Sequence, residues 1–112
     1  MTAVRDEAAF LDAWRKGVAV AGWEFFGDGT GAGTSKWDFA PRIDDIERRI
    51  GVLSSTEAIF LAAMVSFYND RIGGEMLADL EGHPAGLVAV TAGLDGARRH
   101  IIADLLIAYP GW

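Results

Sequence analysis

Two histidines, His83 and His100, and no cysteine set the chemistry open to this 112-residue chain. Without thiols there is no disulfide, thiolate metal site or cysteine nucleophile, and a reducing compartment suits the composition. His100 stands one helical turn before Asp104, a spacing that can orient an imidazole as a base or a metal ligand. No third ligand accompanies the pair, and the Glu-x-x-His repeats of carboxylate-bridged di-iron bundles are missing. No serine occupies a G-x-S-x-G nucleophile turn. These residues predict a noncatalytic protein that needs neither metal nor cofactor.

Gly27–Ser35, G-D-G-T-G-A-G-T-S, contains a literal G-x-G-x-x-A at Gly27, Gly29 and Ala32. A dinucleotide fingerprint requires a strand before it and a helix directly after, with the pyrophosphate on the helix N-terminus. Here a helical pattern precedes the glycines and W-D-F-A-P follows. Lys36 comes after Thr34 and Ser35, the reverse of a P-loop. The composition predicts a mobile, insertion-tolerant linker that binds no nucleotide.

The net charge is −6, and most of it is concentrated: Glu57, Asp70, Glu75, Asp79 and Glu81 against Arg71 give residues 54–82 a net −4. An acidic chain gains nothing from a phosphate backbone, which rewards clustered Lys and Arg. Asp70, Glu75, Asp79 and Glu81 therefore predict a protein partner with a basic surface, and an inhibitor or accessory factor of a nucleic-acid-binding protein would fit. The same carboxylates beside Gly73–Gly74 make calcium the competing ligand, although the regular spacing of a calcium loop is missing.

The alternative reading lies in residues 87–106, L-V-A-V-T-A-G-L-D-G-A-R-R-H-I-I-A-D-L-L. With Ala89, Gly93 four residues later, then Leu94 and Ile102, this stretch resembles the core of a helix-turn-helix. The resemblance implies a DNA-binding regulator with Arg98, Arg99 and His100 on its recognition helix. Arg99 departs from the pattern by standing where a buried aliphatic residue belongs.

The elements that must position these groups all read as helical. Ser54–Arg71 is apolar around its whole circumference, with Ser54 and Glu57 as a capping box and Gly73–Gly74 as the stop, which predicts a buried central helix over about 54–72. Ala3–Phe26 carries an amphipathic stripe through Trp14 and Val18, with Thr2 as its N-cap. Gly17 or Gly22 within it would admit a close neighbour. Pro41–Ile50 follows, with Asp44–Arg48 and Asp45–Arg49 ion pairs on its outer face. Glu75–Glu81 supplies two turns, with Leu80 inward and Glu75 and Asp79 sharing the outer face. Gly82, His83 and Pro84 break the chain, and Pro84 opens the next helix. Leu87 begins a new inward stripe, and a turn at Gly93–Gly96 leads to a last helix capped by Asp95. Trp37, Phe39 and Trp112 are expected to pack on the core.

The pattern predicts one all-α domain over 1–112, a bundle of four to five helices around the central one. No apolar run approaches the ~20 residues of a membrane span, and M-T-A-V-R-D-E is no signal peptide, so a cytoplasmic location with no membrane contact is expected. Twelve aromatics in so short a chain suggest that some lie in a contact surface, a homodimer among the options.

Overall fold

The computed structural model describes residues 6–82 and 86–112, and every regular element among them is helical. The helices are α1 (Glu7–Ala21), α2 (Ile43–Arg49), α3 (Ser55–Tyr68), α4 (Asp70–Glu81), α5 (Leu87–Ala92) and α6 (Gly96–Ala108). The expected cap at Thr2 and break at His83–Pro84 lie outside the described residues. Asp6 caps α1 by accepting from the Ala9 N–H at 2.9 Å.

α3 forms the centre because it has no polar side to turn outward. Ala58 through Val65 are all buried, and α3 touches α1, α4, α5 and α6. Its start is the expected capping box: Ser54 Oγ accepts from the Glu57 N–H at 3.3 Å, and Glu57 accepts from the Ser54 N–H at 3.1 Å. Its end is not the expected one. The helix stops at Tyr68, because Asn69 takes an extended backbone and its Oδ1 caps the following turn from Ile72 N–H at 3.0 Å. An asparagine side chain offers the backbone this alternative to continuing a helix. Gly73 and Gly74 consequently lie inside α4 rather than ending α3, and a Cβ on Gly73 would lie 2.5 Å from Ser66 Cα. Glycine here lets α4 approach the α3 backbone.

α1 packs along α6. Gly17 of α1 is buried where Met64 of α3 and Ile101 of α6 converge, so it is the close-approach glycine. Gly22 has another role: at φ 125° it ends α1 five residues short of Phe26, and Trp23–Phe25 turn as a 3-10 segment. Phe10, Trp14, Phe25, Phe26, Phe39 and Phe60 are buried in one core cluster.

The glycine-rich stretch is held at its neck. Gly27 N–H donates to Ala40 O at 2.9 Å, Arg42 N–H donates to Phe25 O at 2.8 Å, and Phe26 and Pro41 form a single antiparallel bridge. Inside it, Asp28 accepts from Thr30 N–H and Oγ1, and Asp38 accepts from the Thr34 and Ser35 N–H groups. The linker reading fails here because aspartates at each end satisfy the backbone donors that free Gly and Ser tracts leave to water. Pro41 belongs to the bridge, and α2 begins two residues after it.

Outer charges also pair differently from expectation. Asp45 bridges Arg42, at 2.8 Å, and Arg48, whereas Arg49 reaches across to Glu24 at 3.6 Å and lies over the Phe25 ring. Phe39 is buried as expected, but Trp37 is 60 % exposed and rests edge-on against Trp112. Trp112 packs on Trp14 with ring centroids 4.8 Å apart.

Candidate functional site

The four carboxylates of the acidic stretch divide between two faces of α4. Asp70, Gly74, Leu77 and Glu81 recur at i, i+4, i+7 and i+11 and form one stripe. Glu75 and Asp79 lie on another face, and Glu75 is engaged by Arg71 at 3.1 Å. The sequence cluster is therefore not one patch. Among the described residues no group of three His, Asp or Glu side chains is placed to hold a metal ion.

Asp70 opens onto a groove of about 530 Å³ bounded by the end of α3, by α4, by α5 and by α6. Its walls are Ala63 and Phe67 of α3, Gly74 and Leu77 of α4, Leu87 and Val90 of α5, and Ile102, Leu106 and Tyr109 from α6 and its end. Asp70 is the single charged residue among the described ones lining it. The placement follows from the corner at Asn69: ending α3 there swings Asp70 to the first turn of α4, where a carboxylate also suits the helix dipole. Tyr109 is fixed as a wall by donating its hydroxyl to Phe67 O at 3.2 Å.

Two of the groove's apolar walls are themselves open to solvent: Leu87 and Leu106 are 68 and 55 % exposed. Val88 and Ile107 are exposed as well, Ile107 over a separate hollow between α1 and α6. The expected inward position of Leu87 is thus a surface position: Leu87 opens α5, and Val90, one turn on, is the residue of that helix that is buried. Leu80, also expected inward, is partly exposed. Large apolar side chains grouped on a small protein's surface mark contact sites, whereas single ones carry no such meaning.

A second furrow of about 200 Å³ runs between α5 and α6, and it shares Leu87, Val90, Ile102 and Leu106 with the groove as a common wall. Arg99 is the charged residue on its lining. Its Nε donates to Thr91 O at 3.0 Å, holding the start of α6 to the end of α5. Arg98 is half-buried, lies over the Phe60 ring and binds Asp95 at 2.5 Å. Asp95 in turn caps α6 by accepting from Arg98 N–H at 2.9 Å, which holds its carboxyl below the usual range. α5 and α6 are joined by the expected turn, yet of Arg98, Arg99 and His100 only His100 projects from α6 without a bond to another described residue. His100 is exposed, as is Asp104 one turn on.

Lys36 is a residue whose importance the sequence hides. It is only 6 % exposed, its Nζ lies 3.3 Å from Glu7 and donates to Gly111 O, and it sits between the Trp37 and Trp112 rings. Burying an ammonium is costly unless it is paired and hydrogen-bonded, and each of these contacts offsets that cost.

No protein-family model, curated protein or solved structure matches the chain. No helix of the described residues is long and apolar enough to cross a membrane.

Proposed function

We propose that the chain is a noncatalytic interaction protein whose contact face is the groove between α3, α4, α5 and α6. The observation that carries this reading is an apolar cleft with one carboxylate, Asp70, at its wall and two of its apolar lining residues, Leu87 and Leu106, open to solvent. Such a surface suits an apolar segment that brings a cation: burial supplies the affinity, and Asp70 fixes the register. Glu81, on the same stripe, adds to the negative field. Glu75 and Asp79 are peripheral in this reading, which narrows the basic-partner expectation to Asp70 and Glu81.

A fluorescent amphipathic peptide of leucine and lysine is the test ligand, with its leucine–glutamate counterpart as control. The Leu/Lys peptide should bind, the counterpart should not, and Asp70→Lys should weaken binding by about tenfold, the equivalent of 1.4 kcal/mol. Absence of binding, or binding indifferent to Asp70→Lys, overturns the proposal. Enrichment of one duplex from a random DNA pool, lost in Arg98→Ala, would move the assignment to the helix-turn-helix reading.

A further inference from the structure

We infer that the occupant of the groove is a second copy of this chain, bound through a two-fold interface. The inference rests on the reading of the groove as a contact face and names its partner.

The groove and the furrow lie on either side of one apolar wall, Leu87, Val90, Ile102 and Leu106. The charged lining residue is an acid, Asp70, on one side and a base, Arg99, on the other. A basic segment satisfies Asp70 in the groove but gains nothing from Arg99 in the furrow. A complement that brings a base to one and an acid to the other matches the whole face, and the chain itself presents that surface. In an isologous contact residue i of one copy meets j of the other, and j meets i. Rotating a second copy about an axis through the apolar wall sets each Asp70 opposite an Arg99 and buries Leu87 and Leu106 of both copies against each other. The guanidinium can accept this role because, among the described residues, only its Nε is engaged, by Thr91 O. Two copies at −6 each repel at long range, but screening confines that repulsion to within roughly 8 Å at physiological ionic strength, whereas a desolvated pair at the contact is screened much less.

Sedimentation equilibrium of the full chain over a dilution series provides the test. The chain should show a reversible monomer–dimer equilibrium. Asp70→Arg and Arg99→Asp should each weaken it by about tenfold or more, and the double variant, which re-forms the pair with its charges exchanged, should recover most of the loss. Circular dichroism checks the fold of each variant. If either charge variant misfolds, Leu106→Glu, at an exposed position on the wall shared by groove and furrow, replaces it and should by itself dissociate the dimer. A chain that stays monomeric throughout, or a double variant no better than its singles, overturns the inference. A monomer that still binds the Leu/Lys peptide refutes the second copy and leaves the groove as a contact face; a monomer that binds nothing refutes both.

Discussion

At the scale of single residues, carboxylates serve as backbone caps. Asp38 is held below the usual carboxylate range by the Thr34 and Ser35 N–H groups, Asp28 by the Thr30 hydroxyl and N–H, and Glu57 by the Ser54 hydroxyl and N–H. A carboxyl whose folded pKa is depressed contributes stability that is present above its unfolded value, about 4, and is lost as pH falls through the folded value. Acidification also neutralises a chain carrying −6, which relieves repulsion and works in the opposite direction. Comparison with a variant separates the two. Thermal unfolding followed from neutral pH down to about 3 should show a shallower acid loss for Asp38→Asn than for the parent chain, because the variant lacks one depressed carboxyl. Parallel curves for the two proteins would show that Asp38 does not hold the loop. The residue scale is also where the sequence was least legible. Glu57 and Asp95 could be assigned as capping residues because caps are local. Lys36 and Arg49 could not, since their partners Gly111 and Glu24 are distant in the chain and are identified by the fold.

At the scale of elements, the decisive feature is the corner at Asn69. Composition favours one long helix through it, because the glycines that look like a stop come four and five residues later. The side-chain cap on Ile72 N–H and the need for a glycine against Ser66 move the break back to Asn69, and with it Asp70 to the mouth of the groove. The central helix, its buried circumference and its start were legible because all-round apolarity and a capping box are properties of one segment. The groove was not, because its walls come from four successive helices whose packing against one another no single segment's pattern specifies. Two substitutions should separate the corner's contributions. Asn69→Ala removes a cap and should cost about 1 kcal/mol. Gly73→Ala forces the α3–α4 contact apart and should cost about 1–3 kcal/mol, although alanine is the better helix former. Urea unfolding of both variants checks the order. A stabilised Gly73→Ala would mean that the two helices do not meet as described.

At the scale of the whole molecule, the fold is a helical bundle in which α3 is consumed by burial, the neck of the glycine loop is tied to the aromatic core, and the α5–α6 face is left apolar. Apolar surface exposed at that face raises no stability in the monomer; it has meaning only if something covers it. The all-helical class was legible from periodicity, whereas the exposed face was not, since Leu87 keeps the spacing of the inward stripe and yet lies at the surface. The central claim is that this face is a contact surface, and amide hydrogen exchange of the full chain at low and high protein concentration tests it most directly. Added protection at high concentration within 87–108 and around Asp70, with 28–49 unchanged, is the predicted result. Exchange independent of concentration across 87–108, both alone and with the Leu/Lys peptide added, would contradict it.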